Sequence, residues 1–277
     1  MSTRINHNIL ALTAQRNIYQ SQMNLDTAVT RLSSGLRINN AWDDPAGLAV
    51  SERFRAQIAS MVEAERNANA NMNLVATAES ALSTVDDILI RMRALAAQAS
   101  NGALGNSDRA ALDVEFQQLK SEITRIALTA NYGGMKLLDG TWSSTGIKFH
   151  IGTFNTLGED YYFVNINSMT AAALGLGTVD LTDTLGAQAA LDAIDNAISS
   201  KDSERVRLGS YVERLQMTIH NLQISRESAS KAESEIRDAD IAAEMSDFLR
   251  AQIMMQTGVA MLSQANMVPQ IVAGLIG

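Results

Sequence analysis

The chain has 277 residues, of which 46% are hydrophobic and only 5% aromatic, with two prolines, no cysteine and a formal net charge of −8. A chain this long buries a sizeable core, and its scarcity of aromatics and proline favours long helices over a compact α/β core. The acidic balance without a Lys/Arg-rich run argues against nucleic acid as a partner, and the lack of cysteine excludes disulfides and thiolate metal sites.

The opening MSTRINHNILALTAQRN has no continuous apolar core and no A-x-A cleavage site, so it does not read as a secretory signal. On this reading the chain stays inside the cell or leaves by a route that needs no such signal. Ile5, Ile9, Leu12, Ile18, Leu25, Val29, Leu32 and Leu36 form a first apolar seam with few charges, and Gly35 marks a helix end or bend. In RINNAWDDPAG, residues 37–47, Asp44 before Pro45 predicts a helix N-cap with proline at the first helical position. Asp43 and Asp44 have no neighbouring histidine, so capping outweighs acid–base or metal chemistry for this pair.

A long helix follows. Phe54, Ile58, Met61, Ala68, Asn71, Val75, Ala78, Leu82, Val85, Leu89, Met92, Ala96 and Ala99 keep heptad-compatible spacing. Some 50 residues at 1.5 Å each predict a rod roughly 75 Å long. Ser100-Asn101-Gly102 ends it, Ser107 or Asp108 is expected to cap the next helix, and Leu112, Phe116, Leu119, Ile123 and Ile126 continue the pattern until Asn131-Tyr132-Gly133-Gly134. The short turn predicts antiparallel packing of these two helices.

Residues 135–180 change character. Ile147, Phe149 and Ile151 alternate with Lys148 and His150, while Tyr162, Val164 and Ile166 alternate with Tyr161, Phe163 and Asn165. TFNTLGED between them predicts a small hairpin. From about Ala187 helix resumes through Leu191, Ile194, Ile198, Leu208, Val212, Leu215, Ile219 and Leu222, with Arg205 interrupting the stripe. The polar SRESASKAESEIRDADIAAE is either a linker or a solvated helix face.

The tail, residues 251–277, contains no Asp, Glu, Lys or Arg. Its interspersed Gln and Asn argue against a membrane span, and Pro269 is expected to break the helix near its end. Ile241, Met245, Phe248, Gln252, Met255, Val259, Leu262 and Asn266 are spaced alternately by four and three. That stripe predicts a helix packed on another helix, first on the N-terminal seam, with Gln252 and Asn266 setting register. The three histidines lie in separate elements without zinc spacing, and LGLGTVD lacks the third glycine of a dinucleotide loop. No catalytic, metal or cofactor constellation emerges, so the expectation is a non-enzyme without cofactors. Weakly charged apolar helices at both ends mark assembly surfaces, and head-to-tail association that does not close makes a helical polymer.

The residues RLSSGLRINNAWDDPAGLAVSERFRAQI (31–58), IRMRALAAQASNG (90–102), VEFQQLKSEITRIA (114–127) with NYGGMKLLDG, and RDADIAAEMSDFLRAQIMMQTGVAMLSQANMVPQIV (237–272) closely resemble the conserved blocks of bacterial flagellins. The resemblance implies a mainly α fold: a long antiparallel helical bundle or coiled coil with a small β-hairpin region and paired terminal helices. Residues 1–44 and 237–277 would form the inner filament core, and 45–236 a helical shaft with its hairpin near 141–180. No large outer domain is expected, because few residues separate the helical blocks. The assembly seam would comprise Ile5, Ile9, Leu12, Leu25, Val29, Leu32, Ile241, Met245, Phe248, Met255, Val259 and Leu262, and the signature turn Asp43, Asp44, Pro45 and Gly47.

The resemblance further implies a homopolymer used for swimming, exported unfolded with a flagellar export chaperone on the C-terminal helices, and meeting filament cap and hook-associated proteins. Its location would be the extracellular flagellum, or a periplasmic flagellum in a spirochaete. Arg91, Leu95 and Glu115 match positions that contact the innate immune receptor TLR5 in recognised flagellins, although Ile90 and Ala94 depart from that pattern. As a shaft surface the same residues would serve subunit packing. A hook–filament junction protein of the same family is the nearest alternative, although SQANMVPQ favours flagellin. A membrane-associated sensory coiled coil is the alternative of another class.

Overall fold

A computed structural model describes residues 7–276, with side chains to Val268. The elements in chain order are α1 (Ile9–Ser34), α2 (Pro45–Ala99), α3 (Asn106–Thr129), β1 (Asn131–Tyr132), β2 (Met135–Lys136), α4 (Trp142–Thr145), β3 (Ile147–His150), β4 (Tyr161–Val164), α5 (Thr184–Arg237) and α6 (Ile241–Ile276). Two compact units form: residues up to Ile58 with those from Glu227, the terminal unit, and Ala59–Arg226, the central unit. The divisions fall inside the continuous helices α2 and α5. Among the described residues no helix is long and apolar enough to cross a membrane.

In the terminal unit, Asn8 caps α1 by accepting the Ala11 N–H at 3.0 Å, and Gly35 closes it in the left-handed region at φ 72°. Asp44 caps α2, its Oδ1 accepting the Gly47 N–H at 2.9 Å, with Pro45 opening the helix. A Cβ on Gly47 would run into the Asp44 carboxylate and Ile38, so the cap requires glycine there. Asp43 braces the preceding turn, accepting the N–H groups of Asn39 (3.1 Å) and Asn40 (2.8 Å). The polar stretch before α6 is the solvated end of α5, which runs 54 residues to Arg237. One expectation is corrected here: α6 continues through Pro269 to Ile276. A proline inside a helix removes one i→i−4 bond and adds a local clash, and here the ladder resumes on its far side.

In the central unit the heptad stripes bury as their spacing requires. Ala68, Val75, Ala78, Leu82, Val85, Leu89, Met92, Ala96 and Ala99 of α2 meet Phe116, Ile123 and Ala127 of α3 and Ala187, Ala190, Ile194, Ala197, Leu208 and Leu215 of α5 in one core. α3 begins one residue earlier than its expected cap: Gly105 precedes it without a side-chain bond, and Asp108 lies in the first turn, where its charge suits the helix dipole. The buried Arg109 closes the α2–α3 turn by donating to the carbonyls of Ala99 (2.8 Å) and Asn101 (2.9 Å).

Two antiparallel hairpins follow. The first, β1–β2, turns at Gly133 and Gly134 with φ of 58° and 88°, positive values that two consecutive glycines allow. The second pairs Ile147 with Val164, Lys148 with Phe163, Phe149 with Tyr162 and His150 with Tyr161. Its inner face, Ile147, Phe149, Tyr162 and Val164, continues through Ile151 and Ile166 into the core. On the outer face the Lys148 ammonium lies 3.7 Å from the centre of the Tyr161 ring.

Asp160 organises the hairpin loop, accepting the N–H groups of Phe154 (2.9 Å) and Thr156 (3.0 Å). Those backbone donors hold its carboxyl below its ordinary value of 3.8. A depressed folded-state value means that this contribution is present above the unfolded value and is lost as pH falls through the folded one. Amide exchange in residues 152–160 therefore accelerates in acid below about pH 3.8, ahead of β3 and β4, and Asp160→Asn removes that pH dependence. Equal loop exchange at neutral and acid pH, once corrected for intrinsic rates, would contradict the assignment.

Candidate assembly interface

The terminal helices α1 and α6 form an antiparallel pair. Asn8 Nδ2 donates to the Ala265 carbonyl at 2.8 Å near one end, and Arg31 pairs with Glu244 at 2.9 Å near the other. Beyond Arg31 the two chains lock through backbone: Ala239 N–H donates to Gly35 O (2.9 Å) and Arg37 N–H to Arg237 O (2.7 Å). Arg37 Nη2 also donates to Ile236 O at 2.6 Å, and Arg237 pairs with Glu52 at 2.7 Å. The Arg237 and Arg55 guanidiniums hold the Glu52 carboxyl below its ordinary range. None of this lock was legible in the sequence, because its backbone bonds carry no residue-type signal.

The seam has the heptad period expected of it but lies on a rotated face. In α1 the wholly or partly buried positions are Ala11, Ala14, Ile18, Ser21, Leu25, Ala28, Arg31 and Leu32, and in α6, among residues with described side chains, they are Glu244, Phe248, Ala251, Gln252, Met255, Gly258, Leu262 and Ala265. Leu25, Leu32, Phe248, Met255 and Leu262 therefore lie in the seam as expected. Ile9, Leu12, Val29, Ile241, Met245 and Val259 do not: they are 61, 70, 47, 50, 42 and 55% exposed. Ile5 lies outside the described residues. Gln252 is half-buried at the seam edge, whereas Asn266 is exposed and has no place in it. The physical reason is size. Small residues, Ala14, Ser21 and Ala28 in α1 and Ala251, Gly258 and Ala265 in α6, punctuate the buried stripes, and a small side chain on one helix leaves room for a larger one on the other, as Gly258 does for Ile18. A Cβ on Gly258 would lie 2.7 Å from Ile18 Cγ1, so the backbone there is already in contact with its partner.

The larger apolar residues are thereby left outward. Tyr19 and Met23 on α1 and Leu249, Ile253, Met254 and Met261 on α6 join the six exposed residues just named. A helix that is apolar all round belongs in the interior of an assembly, and contiguous exposed apolar surface marks an interaction site. One flank of the pair is more polar, a groove where Met254 lies among Asn17, Gln20, Asn24, Arg31, Asp247 and Arg250.

In the central unit Arg91 Nε donates to Glu115 Oε1 at 2.8 Å on an exposed surface. Leu95 is 1% exposed and packs in the core, so it cannot share a contact surface with them, which corrects the expectation for this residue. It falls on the Met92–Ala99 side of α2, one position from the stripe residue Ala96. Besides Arg109 and Asp160, two further buried charges were missed. Lys201 and Glu204 are 1 and 2% exposed on the buried stripe of α5, beside the Arg205 that the spacing flagged. Lys201 Nζ reaches Asp86 Oδ1 at 2.5 Å and Asp202 at 2.7 Å, while Glu204 holds Arg207 at 2.6 Å and accepts the Asn167 N–H at 3.3 Å. The heptad positions of Lys201 and Glu204 were the available signal. Among the described residues no group of three or more His, Cys, Asp or Glu could hold a metal ion.

This is the geometry of a mainly helical chain with large apolar side chains left exposed on its terminal helix pair. The family comparisons agree in identity and extent. Residues 5–143 match the bacterial flagellin N-terminal helical region and residues 191–276 the bacterial flagellin C-terminal helical region. The chain belongs to the bacterial flagellin family. It is 43% identical to a flagellin of Halalkalibacterium halodurans, over 98% of this chain and 99% of that protein. It is 38% identical to a flagellar filament 33 kDa core protein of Treponema phagedenis, again over 98 and 99% of the two chains. A solved chain of Vibrio parahaemolyticus assigned as a flagellar hook-associated protein covers 71% of this chain and 100% of its own, with a TM-score of 0.55 and 15% identity, a likeness of fold alone.

Proposed function

We propose that this chain is the structural subunit of a flagellar filament, and that it polymerises through the outward faces of α1 and α6. The observation that carries the reading is the set of large apolar side chains left exposed around the α1–α6 seam, on terminal blocks that match the flagellin family at both ends. Relatives named flagellin and flagellar filament core protein match over nearly their whole length, which supports a filament subunit and not a minor accessory chain. The subunit carries no reaction of its own. Residues 1–44 and 237–277 would make the filament's inner core and 45–236 its outer shaft.

The partners that follow are further copies of the chain, an export chaperone holding the apolar C-terminal helix before assembly, and cap and hook-associated proteins at the polymer's ends. Arg91 and Glu115 offer an exposed contact to a neighbouring subunit or to TLR5. The location is the flagellum, external or, for a spirochaete source, periplasmic.

Removal of residues 251–277 tests the reading. The full chain extends filaments visible by electron microscopy, while the truncated chain forms none and retains the far-ultraviolet helical signal and cooperative melting of the central unit. Filaments from the truncated chain would overturn it.

A further inference from the structure

We infer that the exposed methionines of the terminal helix pair form an oxidation site, and that their conversion to sulfoxide blocks addition of the subunit to a growing polymer. This inference rests on the polymerisation proposed above. Met245, Met254, Met261 and Met267 of α6 are 42, 54, 59 and 48% exposed, and Met23 of α1 is 49% exposed. On α6 they fall outside the seam on both flanks: Met245 and Met267 on one, Met254 and Met261 on the other. Met135 and Met217, 37 and 65% exposed, lie in the central unit outside the terminal pair, and other methionines are shielded. Met61, Met92 and Met169 are 6, 0 and 3% exposed in the cores, and Met255 is half-buried in the seam.

The chemistry is a two-electron oxygen transfer. The thioether sulfur attacks one oxygen of hydrogen peroxide, the O–O bond breaks as an S–O bond forms, and the other oxygen leaves as water after proton transfer. A flexible apolar side chain becomes a polar one carrying a strong hydrogen-bond acceptor. Exposed apolar Leu249, Ile253, Val259 and Val268 surround these positions with exposed Thr257, Ser263 and Gln264 among them, and Met254 lies beside Asp247 and Arg250 along the polar groove. Helix backbone N–H groups are already committed to the i→i−4 ladder, so packing against a second copy buries the sulfoxide oxygen without a backbone donor. An unpaired buried acceptor weakens subunit addition by about tenfold for each oxidised position. Before assembly these sulfurs face solvent, and within a polymer the same contact shields them.

The experiment uses the full chain. Monomer is treated with hydrogen peroxide, the excess is removed, and extension of sheared filament seeds is followed by sedimentation, with peptide mass mapping of incorporated and unincorporated subunits. The expected result is a rise of at least about tenfold in critical concentration, sulfoxide at residues 245, 254, 261 and 267 enriched in the unincorporated fraction, and recovery after methionine sulfoxide reductase. A variant carrying Met23→Leu, Met245→Leu, Met254→Leu, Met261→Leu and Met267→Leu keeps near-equal volume and assembles equally well with or without peroxide. Equal sulfoxide levels in both fractions of the wild type would overturn the inference even if that variant assembled poorly. So would a peroxide-sensitive variant. Failure of untreated monomer to extend seeds would instead sink the polymerisation reading itself.

Discussion

Replacing Lys201 with alanine lowers the melting temperature of the central unit by about 10 °C. Lys201 occupies a core position of α5, is 1% exposed, and holds Asp86 of α2 and its own neighbour Asp202. Deleting one member of a buried ion pair leaves the other charge uncompensated, at a cost of about 3–5 kcal/mol. Asp86 keeps 26% of its side chain exposed and Asp202 57%, so solvent recovers part of that loss, and the lower end of the range, about 3 kcal/mol, applies. For a unit of 168 residues, Ala59–Arg226, each kcal/mol moves the midpoint by about 2–4 °C. Lys201→Met keeps the stem packed and loses about half as much, because Arg205 remains 3.9 Å from Asp86. Thermal unfolding followed by circular dichroism separates the variants. An unchanged midpoint for Lys201→Ala would mean that neither the buried ammonium nor its stem contributes to stability.

Replacing Gly258 with valine raises the critical concentration for polymerisation by about tenfold or more and leaves the central unit's melting unchanged. Two effects oppose each other. Glycine in a helix interior is worse than valine by a few tenths of a kcal/mol, so in an exposed helix the substitution would stabilise. Here the new Cβ stands 2.7 Å from Ile18 Cγ1 across the seam, and overpacking of that kind costs about 1–3 kcal/mol. The clash wins. Roughly 1.4 kcal/mol corresponds to a factor of ten in the association constant, provided that the closed pair is the form that adds. Combining Gly258→Val with Ile18→Ala makes room for the added methyls and restores most of the loss, as coupling between contacting residues requires. Sedimentation of polymer across a concentration series reads both variants. Equal critical concentrations for wild type and Gly258→Val would remove the close α1–α6 approach from the assembling form.

Much of the helical unit was legible from periodicity. The stripe from Met61 to Ala99, the alternation of Ile147, Phe149 and Ile151, and the cap at Asp44-Pro45 each depend on interactions between near neighbours in sequence, where spacing and residue type carry the information. The polymer reading was legible for a related reason. A chain end without charge, such as residues 251–277, has too much apolar surface to remain alone in water.

What the tertiary structure decided was which apolar face goes where. α1 and α6 each present two candidate stripes, and weighting by hydrophobic size selected Ile9, Leu12, Val29, Ile241, Met245 and Val259. The fold selected the stripe containing Ala14, Ala28, Ala251, Gly258 and Ala265, because close approach between two helices rewards small side chains. Ile9, Leu12, Val29, Ile241, Met245 and Val259 are left on surfaces outside the pair, while Ile18, Leu25, Leu32, Phe248, Met255 and Leu262 pack within it. Likewise a lysine and a glutamate at heptad positions of α5 look like breaks in a seam. Only the arrival of Asp86 from α2, of Asn167 from the chain beyond β4, and of Arg207 one turn along α5 makes Lys201 and Glu204 buried members of it. Their partners are distant in sequence except for Asp202 and Arg207, so spacing could mark the positions but not the pairing. Residue type and period determined the helices and the need for partners, and three-dimensional proximity determined which surfaces meet within one chain and which are left for the next.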